Sequence, residues 1–372
     1  PAPAAQFGAG VESRPPMPPD AIALDGLRRA LVIKLRHHGD VLLTTPVLSA
    51  LKQAAPQCEI DALVYSETTA MMEGHPALAQ LHVIDRKWKR QGLAAQAAAE
   101  WQLLAALRAR SYDLVVHLTD HPRGAWLTRL LGPRWSVAPQ RPGRFWRNSF
   151  SHQYPLPKAA NRHTVEQNLD ALRRLGVSVD AAGKQLTVVA GAEAERRVDA
   201  LLQEQGLGFH DFVQVHPASR WLFKTWPADR VAALLDGLAE RGHRVVLTAA
   251  PDPKELALID AIVAAAQVPV VNFAGKLSLK EMVSLSAHAR LFVGVDSAPM
   301  HIAAAVGTPV VGIFGPSGEL EWRPWGVPYR VVASEFHPCR PCGLDGCGGG
   351  KISECLTSLP AGQVLAACDE LL

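Results

Sequence analysis

The sequence predicts an α/β protein built from two doubly wound domains, each a parallel sheet wrapped by helices, facing one another across a cleft. Three observations lead there. Short apolar runs of buried-strand composition alternate with helical patterns through two successive rounds. The rhythm breaks once, at residues 180–192, where LGVSVDAAGKQLTVVAGAEAE supplies Gly and short extended pieces. A chain of 372 residues, 48% hydrophobic and 20% charged, is long enough to bury two cores.

The first round opens with the strand ALVIKL (30–35) and a helix over 46–53, which Thr45 can cap and Pro46 can start. The strands EIDALVY (59–65) and LHVID (81–85), a helix over 93–110 and the strand DLVVHL (113–118) follow. A Pro/Arg-rich passage and the helix HTVEQNLDALRRLG close it. The second round runs FVQVHP (212–217), a helix over 228–241, RVVLTA (244–249), a helix over 254–266, VVNFAG (270–275), a helix over 279–288, LFVGV (291–295) and TPVVGIFG (308–315). A last helix over 359–371 follows a Gly/Cys-rich loop. The expected organisation is a flexible tail at 1–24, domains at 25–185 and 186–355, and a closing helix at 356–372.

Composition narrows the function. No run of 18 apolar residues occurs, and the Pro/Ala-rich opening has neither the basic start nor the apolar middle of a secretory signal. The net charge is only +3, yet no acidic residue lies between Asp120 and Glu166. Arg123, Arg129, Arg134, Arg141, Arg144, Arg147, Lys158 and Arg162 all do. Such a segment is either a solvated loop or a surface for an anionic partner: a phosphorylated glycolipid, a membrane or a nucleic acid. Four of six cysteines, Cys339, Cys342, Cys347 and Cys355, cluster in CRPCGLDGCGGGKISEC. The first pair has metal-knuckle spacing and the second does not, so reduced structural thiols are the first reading, a metal site the second and disulfides the third.

Chemistry belongs at strand carboxyl ends. After the first strand the chain reads RHHGD: Gly39 allows a sharp turn, and Asp40 emerges at the ligand end as a general base for a hydroxyl or as a helix cap. Neither GxGxxG nor GxxxxGK[ST] is present, which disfavours dinucleotide oxidoreductases and P-loop kinases. In HPASRWLFKTWP, Ser219 and Lys224 can hold a diphosphate leaving group; a solvated Lys224 and edge packing of Trp221 and Trp226 are the alternatives. Asp252 and Glu255 compete for a ribose hydroxyl, with an N-cap role open to Asp252. Leu277 is an apolar wall for a base, or core. In FVGVDSAPMHIAAAVGTPVVGIFG, Asp296 and Ser297 stand at a strand end and start a small-residue helix aimed at an anion. His301 is a phosphate donor or a satisfied helix histidine. Together these residues converge on a nucleotide-diphospho sugar.

The chain, from about Leu27 onward, resembles the ADP-heptose:lipopolysaccharide heptosyltransferases, the inverting GT-B enzymes of glycosyltransferase family 9. IKLRHHGDVLLTTPVL, HPASRWLFKTWP, GVDSAPMHIAAAVGTPVVGIFGPS and CRPCGLDGCGGGKISECL carry the resemblance. RHHGD and the cysteine-rich tail look most like the heptosyltransferase III branch. The resemblance implies two Rossmann-like domains, with Asp40 as catalytic base. It implies donor contacts from Ser219, Lys224, Asp296 and the turn from Ser297 through Met300 to His301. Leu277 falls at the adenine contact, and Glu255 rivals Asp252 for the ribose because Pro253 interrupts the motif. His37 and His38 replace small or polar residues of other branches, where they can tune acceptor recognition or compete as proton acceptors. Arg123, Arg144 and Arg147 are the expected acceptor contacts; Trp126, Trp135, Phe145 and Trp146, interleaved with them, can stack on sugar rings or dip into the membrane interface, with core packing accounting for at least some of the four.

The implied reaction moves L-glycero-D-manno-heptose from ADP-heptose to a heptose of the lipopolysaccharide inner core. The implied setting is a cytoplasmic monomer, peripheral at the inner membrane, needing no cofactor or metal and binding no nucleic acid. A GT-B transferase for another nucleotide sugar and a non-catalytic sugar-nucleotide-binding relative are the alternatives.

Overall fold

The computed structural model describes residues 18–156 and 162–372. In the first half, β1 (Arg29–Ile33) leads through α1 (His38–Leu42) and α2 (Thr45–Ala54) to β2 (Glu59–Tyr65) and β3 (Leu78–Ile84). Then come α3 (Leu93–Arg110), β4 (Leu114–His117), α4 (Pro122–Leu131), β5 (Trp135–Pro139), α5 (Arg144–Arg147), β6 (His152–Tyr154) and α6 (Thr164–Arg174). The strands pair in parallel in the order β3-β2-β1-β4-β5-β6. Four of the five β1 residues are buried, as expected of a strand covered on both faces.

The second half starts with α7 (Ala192–Glu204) and runs β7 (Phe212–His216), α8 (Ala228–Glu240), β8 (Arg244–Leu247), α9 (Pro253–Ala265), β9 (Val271–Asn272) and α10 (Leu279–His288). It continues with β10 (Leu291–Val295), α11 (Ala298–Ala305), β11 (Val310–Phe314), α12 (Glu319–Trp322), β12 (Tyr329–Ala333), α13 (Glu354–Thr357) and α14 (Ala361–Asp369). The order β12-β11-β10-β7-β8-β9 repeats that of the first sheet, with β7 in the place of β1 and β10 in that of β4. Each sheet therefore reverses its winding at one point, between β1 and β4 and between β7 and β10. Ligands of open parallel sheets bind at such points.

Several elements went unexpected. The Pro/Arg-rich passage contains α4, β5, α5 and β6; β5 ends on Pro139 and β6 spans three residues, so neither shows a long apolar run. Reciprocal bonds fix this edge: Ser136 N–H donates to Ser151 Oγ (2.8 Å), and Ser151 N–H to Ser136 Oγ (3.0 Å). Helix α7 begins inside the expected linker, with Ala194, Val198 and Leu202 buried along one stripe. The tail must be shortened. Residues 1–17 lie outside the described residues, but Asp20 pairs with Arg174 (2.6 Å) and Ile22 N–H donates to Leu175 O (3.0 Å), tying 20–22 to α6. Helix α2 includes Thr45 rather than being capped by it: its Oγ1 donates to Leu42 O and accepts from Thr187 N–H.

The two halves share an apolar seam. Met282 and Val283 of α10 and Ile302 of α11 pack in one cluster with the first sheet's core, including Val41, Leu42 and Val165. Polar bonds reinforce it: Lys280 Nζ donates to Glu73 O (2.8 Å) and Val189 O (2.5 Å), and Trp325 Nε1 to Lys184 O (2.8 Å). Leu356, Leu359, Val364 and Cys368 belong to the core beneath the second sheet.

Candidate functional site

Asp40 occupies the first turn of α1, directly after β1 at the first reversal point. The N-cap is His37, and the Asp40 carboxylate makes no hydrogen bond among the described residues, so it does not serve as the cap. Its backbone is held instead: Thr44 Oγ1 donates to Asp40 O (2.9 Å). Beneath it, the buried Lys34 donates to Leu118 O (3.2 Å) and Asn168 Oδ1 (3.0 Å), while Asn168 Nδ2 donates to Leu43 O (2.9 Å). Burial lowers the Lys34 ammonium to about 8, while Asp40 opposes the fall.

The flanking histidines diverge. His38 Nε2 donates to Glu67 O (2.7 Å), which ties its ring to the first half. His37 is exposed and meets the edge of Trp221, from the second half, at 6.3 Å. Burial lowers both pKa values, keeping the imidazoles neutral near pH 7.

Across the cleft, the loop after β7 carries Ser219, whose Oγ accepts from Trp221 N–H (3.3 Å), and a single helical turn ending at Lys224. Lys224 Nζ pairs with Asp296 Oδ2 at 2.6 Å. Asp296 follows β10, so the pair bridges the second reversal point. Ser297 is the N-cap of α11 but makes no capping bond. Its Oγ and the Nδ1 of His301 are buried without a partner among the described residues. Orphaned buried polar atoms cost roughly 1–3 kcal/mol each unless a ligand or water satisfies them, and these flank a helix N-terminus.

His301 joins the halves. It is 2% exposed, and a β-carbon built on Gly39 would lie 3.1 Å from its Cδ2. Burial lowers its pKa, Asp296 and Asp40 pull it back up, and Lys224 lowers it further, so all three charges act on one ring. Sequence reasoning missed Glu321 on α12. Burial raises its pKa, and so do Asp40 and Asp296, placing a further carboxyl at the same cleft. No local pattern in ELEW marks it.

Other expected contacts separate from this constellation. Asp252 caps α9, its Oδ1 accepting from Lys254 N–H (2.9 Å). Glu255 folds back to accept from Ala250 N–H (3.0 Å), with burial raising its pKa. Met300 corrects an expectation: its side chain is wholly buried with Phe292 and Phe314 in the core, because it lies on the face of α11 turned to the sheet. Leu277 is half-buried between the two cores. Arg123 pairs with Glu100, while Arg144 and Arg147 stand exposed on α5. Trp146 is buried, its Nε1 donating to Pro139 O (2.9 Å), which is the core-packing alternative, and Trp135 lies half-buried under Arg134. Trp126 and Phe145 remain exposed. Lys158 lies outside the described residues. Cys339, Cys342 and Cys347 are exposed and Cys355 is buried; among the described residues no three His, Cys, Asp or Glu side chains are placed to hold a metal ion.

Comparison with known proteins fits this geometry. The chain is 38% identical to lipopolysaccharide heptosyltransferase 3 of Escherichia coli over 345 residues, covering 91% of this chain and 97% of that one. It is 28% identical to lipopolysaccharide heptosyltransferase 1 of Pseudomonas aeruginosa, covering 84% and 86%. Among solved structures, a family 9 glycosyl transferase from Veillonella parvula superposes with a TM-score of 0.81 at 24% identity, covering 95% and 99%. The E. coli heptosyltransferase WaaC, solved with ADP, superposes with a TM-score of 0.70 at 22% identity, covering 92% and 100%. The two facing sheets are thus a GT-B fold. With the profile described as Glycosyltransferase family 9 (heptosyltransferase) matching residues 100–351, and so similar a relative spanning nearly the whole chain, the protein belongs to glycosyltransferase family 9.

Proposed function

We propose that this chain is an inverting transferase that moves L-glycero-D-manno-heptose from ADP-heptose to a heptose of the lipopolysaccharide inner core, as a monomer at the cytoplasmic face of the inner membrane. One observation carries the reading. A carboxylate free of hydrogen bonds among the described residues, Asp40, comes from one sheet, and the Lys224–Asp296 pair with the open N-terminus of α11 comes from the other; both act on His301.

The half at 186–355, with the closing helix at 356–372, holds the donor. The diphosphate lies at the start of α11, where Ser297 Oγ and Lys224 Nζ donate to its oxygens. Lys224 is already poised there by Asp296, whose second oxygen is open to a heptose hydroxyl. The half at 25–185 holds the acceptor. Asp40 takes the proton of the acceptor hydroxyl as that oxygen attacks the anomeric carbon. The bond from that carbon to the phosphate oxygen breaks, and ADP leaves with the electron pair. Lys224 and the helix dipole stabilise the charge that builds on it. Attack from the Asp40 side, opposite the diphosphate, inverts the anomeric configuration.

The test is the mass of the product formed from ADP-heptose and defined truncated core acceptors. A gain of one heptose is expected; no gain with any of them overturns the reading. A thermal shift with ADP but not UDP is expected beside it.

A further inference from the structure

The most unusual surface lies away from the cleft mouth, on α3. This 18-residue helix buries only Leu103 and Leu107 completely. Its outward face shows Ala94, Ala97, Ala98, Trp101 and Ala105, and it starts on Leu93, which is 88% exposed. Its three charges are few for its length and each is bonded: Glu100 pairs with Arg123, the exposed Arg108 donates from Nε to Leu130 O (3.2 Å), and Arg110 holds Asp61 (2.7 Å). A solvated helix of this length normally carries charges on its outer face.

The neighbours extend this pattern. The first two of these bonds clip α4 beside α3, and α4 exposes Trp126 (58%) and Leu130 (44%). Trp126 packs on Phe145 with centroids 4.5 Å apart, and Arg129 covers that ring at 5.2 Å. Positive charge rims the patch: Lys87, Lys89 and Arg90 in the turn before α3, Arg129 in the last turn of α4, and Arg144 and Arg147 on α5 are all exposed. The nearby acids are engaged, Asp85 by Lys87 N–H, Asp113 by Arg28 N–H and Arg29 N–H, and Asp120 by Arg36. No helix among the described residues is long and apolar enough to cross a membrane.

We propose that the outer face of α3, with Leu93, Trp101 and the Trp126–Phe145 pair, lies in the headgroup layer of an anionic phospholipid bilayer, steered there by the Lys87–Arg90 and Arg129–Arg147 rims. Apolar and indole side chains on one helix face with cations along its edges make an element that lies on a membrane rather than spanning it. The choice of occupant follows from charge: two basic rims with no free acid disfavour self-pairing, since a second copy would set like charges against each other. The proposal rests on the transferase reading in taking the acceptor to be carried by a lipid.

Flotation of the full chain with vesicles of phosphatidylethanolamine and phosphatidylglycerol, against phosphatidylcholine alone, tests it. The chain should float with the anionic vesicles, and Leu93→Glu with Trp101→Glu should cut the bound fraction about tenfold or more. Lys87→Glu with Arg90→Glu should erase the preference for anionic lipid. ADP-induced thermal shifts and transfer to a delipidated, water-soluble core acceptor should be unchanged in both. Equal flotation of the Leu93/Trp101 variant, failure of the natural chain to float, or a solution dimer that buries Trp101 overturns the proposal. If the chain floats as described but transfers nothing to the soluble acceptor, the docking surface stands and the transferase reading falls.

Discussion

Gly39 and His301 touch across the cleft: a β-carbon on Gly39 would come within 3.1 Å of His301 Cδ2 and 4.0 Å of Ala298 Cα. The first residue precedes the proposed base, and the second lies on the helix proposed to receive the diphosphate. The absence of a side chain at 39 lets the two halves approach there. Gly39→Ala should fold normally, since the residue has helical backbone that alanine accepts. Its methyl group must displace the His301 ring by a few tenths of an ångström. Turnover is expected to fall about tenfold with ADP affinity unchanged, as for a small misplacement of reacting groups. Steady-state kinetics beside ADP titration check this; unchanged turnover would mean that the cleft closes without this contact.

Asp40→Asn keeps the shape of a side chain that makes no hydrogen bond and removes its basicity. Turnover should fall by about 10²-fold or more while ADP binding holds. A pH–rate profile adds a second readout. If neutral His37 or His38 takes the proton instead, the variant retains most of its rate, and His37→Gln or His38→Gln loses it.

Lys224→Met removes the cation next to the start of α11 and leaves Asp296, 7% exposed, without its partner. ADP should bind about tenfold or more weakly, the scale of a lost charge-assisted bond to a phosphate. Calorimetry with ADP and with adenosine separates the contributions: adenosine affinity should not change. An equal loss for both would mean that the substitution has collapsed the loop after β7.

Much of this architecture was legible in the sequence, for a physical reason. Strands β1, β7 and β10 are covered on both faces and so read as continuous apolar runs, and the candidate site residues lie in the segments that follow them. The edge strands β6 and β12, and β5 beside the first of them, are short or partly polar, and that signal fails there. The stripe of α7 was hidden among its many charges. In the site, local pattern reached Asp40, Lys224 and Asp296 but not their mutual placement. The contacts Gly39–His301 and His37–Trp221 join residues far apart in the chain, and only the facing of two sheets creates them. Met300 and His301 are adjacent in sequence, and packing alone decides that one fills the core while the other keeps an open nitrogen.

His163 provides the last prediction, a pH dependence whose sign follows from its bonds. Its Nδ1 accepts from Val165 N–H (3.2 Å) at the start of α6, and its Nε2–H donates to Arg323 O (2.9 Å) in the other half, with the ring stacked on Trp325 at 4.4 Å. Both nitrogens are satisfied only in the neutral form; protonation puts a hydrogen on Nδ1 and a charge into the seam. Burial lowers the pKa to about 3, against about 6.5 in an unfolded chain. A folded-state pKa below the unfolded one means that this stability is fully present above pH 6.5 and is lost as pH falls toward 3. The slope is up to about 1.4 kcal/mol per pH unit. The buried His117 and His216 add slopes of the same sign, with values near 3 and 4, so the natural chain alone does not isolate one ring. His163→Asn does, since its oxygen can still cap α6 but it neither titrates nor bridges to Arg323. At pH 7 the variant should be less stable by about 1–2 kcal/mol, and the gap should narrow as pH drops to 5. Denaturant titrations at the two pH values measure the gap, and one that stays constant would show that His163 does not charge on unfolding.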